Sequence, residues 1–280
     1  MQGTNGESEK FLFYRGVGNI NAPLKISRDT NSGELFIRSQ LEKIPSDKPL
    51  TVSSMWLVDI QPGGKIAFRA LPRVTLDQDS KKILAHTPAI FNASDFSATN
   101  LEKLKAALQN ALVDEGLFAD EAQALLNTWE LSYFKSHGLR VFFLVPRAWT
   151  DFFLPLEISL SAKINRVMVG RIELVTPAQR HNLMELSRFS GVQIKADVGA
   201  LWTNFYGNVS EPGRDSNKEW NKLMNGKRLS QFISVPKSYQ TYLDLGRFRN
   251  ALVLDQVKND PSEGLTQFIS TYQLNAYIPE

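Results

Sequence analysis

The first ninety residues alternate short apolar runs with turn signals, a pattern that is typical of β-strands. Five segments are rich in β-branched and aromatic residues, at 10–16, 23–29, 34–41, 50–60 and 65–71. Between the last two segments, the triplet Pro62-Gly63-Gly64 favours an antiparallel hairpin. These patterns predict an antiparallel β-rich N-terminal part, arranged as a meander or a sandwich.

The middle of the chain changes to the period of a helix. Apolar residues recur from Leu101 at positions 104, 108, 111 and 112, which form one helical stripe. A second stripe follows Asp120 and consists of Ala122, Leu125, Leu126, Trp129 and Tyr133. Gly116 and Gly138 stand where the two helices are expected to end. The short link between the stripes predicts a central pair of antiparallel helices.

Strand patterns return after Gly138 and predict further strands at 139–145, 152–160 and 165–175. The residues Thr176, Pro177 and Gln179 then form the pattern of a capping box with proline at the first helical position. This pattern predicts a helix that begins there and reaches about Phe189.

The last ninety residues are less regular. We expect 192–206 to be extended, 236–258 to be helical with a break at Gly246, and 261–272 to form one more helix. Because helices interrupt the strands rather than alternate with them, the predicted fold class is α+β. The predicted organisation is a β-rich part over 1–95 and an α+β part over 96–280, which form one compact unit or two closely packed domains.

The most apolar stretch is RVFFLVPRAWTDFFLPLEISL, residues 140–160. Crossing a bilayer takes roughly 20 consecutive apolar residues, whereas Arg147, Asp151 and Glu157 interrupt this stretch. A charge near the centre of a spanning helix costs about 2.5–3.5 kcal/mol. We therefore predict two core strands joined at Pro146–Asp151 and no transmembrane segment.

Composition excludes several kinds of chemistry. The chain contains no cysteine, which removes disulfides, thiolate metal sites and cysteine nucleophiles and suits a periplasmic or secreted protein. The histidines His86, His137 and His181 lie far apart in sequence and lack the spacing of metal ligands. No glycine-rich phosphate loop occurs, so we expect neither a metal nor a cofactor. The net charge of +3 is too small to indicate a nucleic-acid partner.

The connection Arg147-Ala148-Trp149-Thr150-Asp151 is the most specific candidate for a ligand-binding site. Loops on a β scaffold often carry binding residues, and an arginine beside an aspartate and a tryptophan suits an anionic or sugar-like ligand. The alternative is structural. In that interpretation Arg147 and Asp151 form an ion pair that fixes the connection, and the indole of Trp149 packs in the core.

Glu130, Asp151 and Glu157 are the candidates for general acid–base catalysis, because glycosidases use a pair of carboxyl groups. The alternative for Glu130 is a position at the edge of the helical stripe, next to the core residue Trp129.

Arg171 and Glu173 fall on one face of the predicted strand at 165–175, which favours a cross-strand set of ion pairs. The functional alternative is an anion-binding site that Arg171 forms together with Arg147.

A basic cluster in the C-terminal third consists of four cations and one aromatic residue, which are Lys218, Lys222, Lys227, Arg228 and Trp220. Such a cluster can contact phosphates, but one aromatic residue does not make a platform on which bases stack. We interpret the cluster as a solvated helix end and expect no nucleic-acid partner.

Five segments carry a resemblance to a bacterial family of uncharacterised proteins: KFLFYRGVGN (10–19), TWELSYF (128–134), RVFFLVPRAWTDFFLPLEI (140–158), RVMVGRIELVTP (166–177) and LGRFRN (245–250). Members of that family are often longer, with an additional N-terminal β-rich part and an export signal. The resemblance implies an extracytoplasmic location and no known reaction. The N-terminal MQGTNGESEK of this chain has no apolar stretch that serves as a signal peptide.

Three functional hypotheses follow from the sequence. The first is a non-catalytic extracytoplasmic module that binds an unknown protein or glycan or has a structural role. The second is a hydrolase that acts on a glycan-like substrate through carboxylates near 147–157. The third is a subunit of a larger surface assembly. The sequence favours the first, because it contains no pairing of a nucleophile with a base.

Overall fold

The computed structural model describes residues 20–29, 32–41, 49–159, 161–208, 234–246 and 248–275. The strands are β1 Leu24–Arg28, β2 Glu34–Ser39, β3 Thr51–Val52, β4 Met55–Ile60, β5 Ile66–Leu71, β6 Val74–Thr75, β7 Ile83–Pro88, β8 Gly138–Val145 and β9 Met168–Leu174. The helices are α1 Asn100–Asp114, α2 Ala119–Thr128, α3 Arg147–Phe153, α4 Pro177–Arg188, α5 Gly191–Asn208, α6 Lys237–Leu243, α7 Arg249–Asn259 and α8 Glu263–Tyr272. A 3₁₀ turn, Ala93–Asp95, precedes α1, and a π-helical turn, Glu130–Phe134, follows α2.

The α+β class is confirmed by these elements. N-terminal strands are followed by the central helical pair, by further strands and by C-terminal helices. The predicted strand at 10–16 and the basic cluster at 218–228 lie outside the described residues. No helix in the part of the chain that the structure describes is long and apolar enough to cross a bilayer.

The chain forms two compact units, Met1–Leu174 and Val175–Glu280. The boundary predicted at residue 95 falls inside the first unit. Strand β8 pairs antiparallel with β4, so residues on both sides of position 95 share one sheet.

The first unit is built around a four-stranded antiparallel sheet with the order β5-β4-β8-β9. The predicted hairpin at Pro62-Gly63-Gly64 is confirmed, since it joins β4 to β5. Gly63 and Gly64 have φ angles of 91° and 82°, values that glycine adopts without the steric cost of a side chain.

Both faces of this central sheet are covered, which explains the long apolar run of β8. Val141 and Phe143 point into a first core, which they share with β4 and with the strands of a second sheet of order β1-β2-β7. Phe142 and Leu144 point into a second core, where the sheet packs against the apolar stripes of α1 and α2. The first unit thus has three layers, which are the sheet β1-β2-β7, the central sheet and the helical pair α1 and α2.

The predicted strand at 152–160 is wrong. Residues Arg147–Phe153 form the helix α3, and the chain from 154 to 167 has no regular structure in its described part. Pro146 has a φ of −54° at the position before the helix, and proline is well tolerated where a helix begins. Pro155 lacks the N–H group that a paired strand needs, so the alternation of Leu154, Leu156 and Ile158 does not produce a strand.

The described part of the second unit contains the five helices α4 to α8. The predicted capping box is confirmed, because the Thr176 hydroxyl accepts from the backbone N–H of Gln179 at 3.2 Å and the Gln179 side chain accepts from the N–H of Thr176 at 2.9 Å. The predicted extended segment at 192–206 is wrong, since Gly191–Asn208 is the helix α5. Ile194, Asp197 and Leu201 are buried at helical spacing. Because Asp197 is polar, this buried stripe does not appear as a hydrophobic periodicity in the sequence.

Gly170 in β9 allows close packing against Phe143 of β8. A Cβ at this position would overlap the ring of Phe143. We expect Gly170→Ala to lower the free energy of unfolding by about 1–3 kcal/mol, because the ring must leave its favoured position. Urea and thermal unfolding followed by circular dichroism would measure this change.

The matched control is Gly199→Ala in α5, where an added Cβ meets nothing within 4 Å. Since alanine favours a helix over glycine, we expect a gain of about 0.5–1 kcal/mol there. A Gly170→Ala variant as stable as the wild type would contradict the tight packing of Gly170 under Phe143.

Candidate functional site

Helix α3 carries the candidate ligand-binding residues, and its two charged candidates are paired with each other. Arg147 and Asp151 lie one turn apart, and the Arg147 Nε donates to the Asp151 Oδ2 at 3.0 Å. Arg166, from the chain just before β9, donates through its Nε to the other carboxylate oxygen of Asp151 at 2.9 Å. We refer to Arg147, Asp151 and Arg166 together as the ionic clamp.

The ionic clamp also holds the backbone on both sides of the irregular segment. The Arg147 Nη2 donates to the carbonyl of Ile164 at 2.8 Å, and the Arg166 Nη2 donates to the carbonyl of Thr150 at 3.2 Å. Each arginine therefore binds the backbone at the opposite end of the irregular segment between α3 and β9. As a result, the two ends of this segment are held close together.

The pKa of Asp151 reflects this pairing. Partial burial favours the neutral acid, but hydrogen bonds from Arg147 and Arg166 outweigh it and hold the pKa of Asp151 below its ordinary value. A general acid in a glycosidase needs the opposite shift. In this geometry Asp151 is an ionised acceptor that fixes two arginines.

Trp149 lies on the inward side of α3 and belongs to the first core. Its side chain is 3% exposed and its ring centroid is 4.7 Å from that of Phe153. The indole is therefore packed against protein and does not present a face on which a sugar ring could stack. This arrangement is the structural alternative that the sequence left open for this connection.

Glu130, the second carboxylate candidate, lies in the π-helical turn and is paired with two lysines. Its Oε2 is 2.7 Å from the Nζ of Lys105 in α1, and its Oε1 is 3.6 Å from the Nζ of Lys135. The hydrogen bond from Lys105 is the main reason that the pKa of Glu130 lies below its ordinary value.

The structure does not bring the three candidate carboxylates together. Glu130 pairs with α1 on the helical side of the central sheet, whereas Asp151 lies on α3, whose Trp149 packs in the first core on the other side. Glu157 is exposed in the irregular segment after α3. Within the described residues, no three side chains of the His, Asp and Glu type converge as metal ligands do.

Arg171 lies away from Arg147, in a separate cluster on the helical face of the central sheet. Its Nε pairs with the Glu173 carboxylate, and its Nη2 donates to the Ser136 hydroxyl at 3.1 Å. The guanidinium also lies over the ring of Tyr133, 5.1 Å from the centroid. The predicted ion pair of Arg171 with Glu173 is thus present.

At the centre of this cluster is Arg140 of β8, whose side chain is fully buried. The register of the sheet places it opposite Glu173, and its Nε is 3.2 Å from the Glu173 carboxylate. Its Nη atoms donate to the Tyr133 carbonyl at 3.0 Å, to the Ser136 hydroxyl at 2.8 Å and to the His137 carbonyl at 2.8 Å. Arg140 therefore ties the end of the π-helical turn to the sheet.

Aromatic rings connect this cluster to the second core. Tyr133 stacks between Trp129 and Phe142, with centroid distances of 4.7 and 5.2 Å. Arg171 covers part of the same tyrosine ring. The stack explains why Trp129 belongs to the apolar stripe of the helical pair, as its position in the sequence predicted.

Sequence reasoning missed Arg140 and Asp59. The sequence does indicate Arg140, because it is a single charged residue directly before the longest apolar run. If that run is buried on both faces, the arginine must be paired. Asp59 of β4 is a carboxyl whose pKa is raised by burial, against the attraction of Arg140. By strand alternation it shares the face of Leu57, whereas Glu130 lies on the opposite side.

No family model, curated protein or solved structure matches this chain. The functional proposal therefore depends on the geometry described above and on the resemblance of its sequence segments.

We expect Arg140→Ala to lower the free energy of unfolding of the first unit by about 3–5 kcal/mol, because two carbonyls lose their buried donor and Glu173 keeps only Arg171 as an ion-pair partner. Urea unfolding followed by tryptophan fluorescence would measure the loss. Arg69→Ala is a suitable control, since Arg69 lies in β5 of the same sheet, is half-buried and contacts Phe91 and the Ile90 carbonyl rather than the Arg140 cluster. Equal effects of the two substitutions would contradict a special role for Arg140.

The ion pair of Glu130 predicts a dependence of stability on pH. Because the folded state lowers the pKa of Glu130 from its ordinary 4.5, the pair stabilises the protein above pH 4.5 and this contribution is lost as the pH falls through the lowered value. We expect Glu130→Gln to cost about 0.5 kcal/mol at pH 7, since the carboxylate is partly exposed to screening by solvent.

The measurement is the difference in free energy of unfolding between wild type and Glu130→Gln as a function of pH. The difference should approach zero at the acidic end. A variant that becomes relatively more destabilised as the pH falls below 4.5 would indicate a raised pKa and would revive a role for Glu130 as a general acid.

Proposed function

We propose that this protein is a non-catalytic extracytoplasmic module that binds a protein partner through the segment 152–158. The observation that carries the proposal is the exposure of three large apolar side chains within these seven residues. Phe152, Leu156 and Ile158 are 45%, 39% and 44% exposed. Clustered apolar exposure on a protein surface is typical of an interaction site.

The ionic clamp supports this proposal, because it holds the chain on both sides of the exposed segment. Arg147 and Arg166 contact backbone carbonyls at opposite ends of the excursion. A binding surface that is already fixed loses less conformational freedom when its partner arrives. Buried Trp149 and partly buried Phe153 anchor α3 underneath.

A protein partner is favoured over a glycan by the chemistry of this surface. Binding of a sugar relies on convergent polar groups that fix the orientation of the ligand. Trp149 is buried, and Arg147 and Asp151 donate and accept within the ionic clamp. The side chains that remain exposed in the segment are largely apolar.

The carboxylate hydrolase has less support. Glu130 and Asp151 are both ion-paired and their pKa values are lowered, whereas a catalytic acid needs a raised value. The two residues also pair with different cations, Glu130 with Lys105 and Asp151 with Arg147 and Arg166. The cysteine-free sequence and the resemblance to a family with export signals support the extracytoplasmic location.

The proposal predicts that Ile158→Ser weakens partner binding about fivefold or more, because a central apolar contact at an interface contributes more than about 1 kcal/mol. The matched control is Ile83→Ser. Ile83 lies in β7 and is 45% exposed, so the two substitutions remove the same group at nearly equal exposure.

The experiment compares proteins captured by wild type, Ile158→Ser and Ile83→Ser from an envelope extract, and then measures each affinity for the purified partner by calorimetry. We expect a partner that is lost with Ile158→Ser and kept with Ile83→Ser. If both variants capture the same proteins with the same affinity as wild type, the segment 152–158 is not the binding surface.

A further inference from the structure

Strand β9 forms one edge of the central sheet. It pairs with β8 along all seven residues, without a bulge, and no other strand among the described residues pairs with it. Every residue of β9 is only half-buried. An edge strand of this length presents a row of backbone N–H and C=O groups that can pair with a further strand.

Two features that commonly protect an edge from pairing, a proline and a bulge, are lacking in β9. It contains no proline and keeps a regular register with β8. Met168, Val169, Ile172 and Leu174 give it apolar side chains on both faces. Its two charges, Arg171 and Glu173, have opposite signs and pair with each other within the chain, so together they do not repel a strand of the same sequence.

We propose that β9 pairs antiparallel with β9 of a second copy of this chain, around a two-fold axis at Ile172. The edge of β9 that faces away from β8, with which no described strand pairs, and the Arg171–Glu173 juxtaposition carry this inference. In this register Arg171 of each copy lies opposite Glu173 of the other, and Ile172 lies opposite its own counterpart. The two four-stranded sheets then form one continuous sheet of eight strands.

Charge complementarity favours a second copy of this chain as the added strand, and it also favours this register. Opposite charges directly across an antiparallel pair are stabilising, and like charges are destabilising. An axis at Arg171 or at Glu173 places that charge opposite itself, whereas an axis at Ile172 produces two unlike pairs. The central Ile172 pair adds an apolar contact beside the first core, which Ile172 already touches. This self-association is independent of the partner proposed for the segment 152–158.

The natural absence of cysteine allows a direct test. Residues opposite each other in an antiparallel pair have Cα atoms about 4.5–5.5 Å apart, which is within the range of a disulfide. We therefore expect Ile172→Cys to form a disulfide-linked dimer of twice 31.6 kDa on mild oxidation. Non-reducing electrophoresis would show the product, and reduction would remove it.

Val169→Cys is the matched control on the same strand. With the axis at Ile172, its two copies lie about 20 Å apart, at roughly 3.4 Å per residue, and cannot be linked. Preferential cross-linking of Ile172→Cys supports the proposal. Absence of cross-linking in a folded Ile172→Cys, or equal cross-linking of both variants, overturns it.

Sedimentation velocity of the wild-type chain gives a second measurement that does not depend on the cysteine variants. A dimer that Ile172→Lys converts to a monomer supports pairing through β9, because a lysine at an edge opposes strand addition. A wild-type chain that stays monomeric at its highest soluble concentration overturns the proposal, as does a dimer that Ile172→Lys leaves intact.

Discussion

The buried guanidinium of Arg140 is the interaction on which the first unit depends. Removing a charge from water costs several kcal/mol, and the cost is offset only where hydrogen bonds and an opposite charge satisfy the group. Arg140 has the carboxylate of Glu173 and three oxygen acceptors around it. A shift of β9 by one residue would turn Glu173 to the other face, so this pair allows one register of β8 with β9.

The same interaction fixes the helical layer relative to the central sheet. The Tyr133 and His137 carbonyls that Arg140 binds belong to the end of the π-helical turn and the residues after it. Backbone carbonyls at a helix end are without partners in the helix and attract a positive charge. The stack of Trp129, Tyr133 and Phe142 then packs where Arg140 holds the turn.

The ionic clamp illustrates the other use of arginine in this chain. Arg147, Asp151 and Arg166 are partly exposed, so their ion pairs contribute less to stability than the Arg140 pair does. Their effect is geometric, because they close an irregular excursion that leaves apolar side chains in solvent. In the proposed function, the charged residues of the ionic clamp support a binding surface, and the apolar residues between them are the candidate contacts.

Local pattern determined much of this fold. The strands β1, β2, β4, β5 and β8, the pair α1 and α2, and the capping box at Thr176 follow from periodicity and turn chemistry that act over a few residues. The α+β class follows from their order. The same pattern wrongly predicted a strand after Phe153, because alternation does not show whether a neighbouring strand supplies hydrogen bonds. It also predicted an extended segment in place of α5, because it does not show that Asp197 has a buried hydrogen-bond partner.

The sequence by itself determined the fold class and most helices and strands, and it excluded thiol chemistry because the chain has no cysteine. These properties depend on residue type and short-range spacing. Only the tertiary structure decided that Glu130 and Asp151 pair with different cations, that Trp149 is buried and that Arg171 belongs with Arg140 rather than with Arg147. These are relations between segments distant along the chain. They depend on the pairing of β8 with β4 and β9, and residues that are distant in sequence carry no local signal of which face of a sheet they will share.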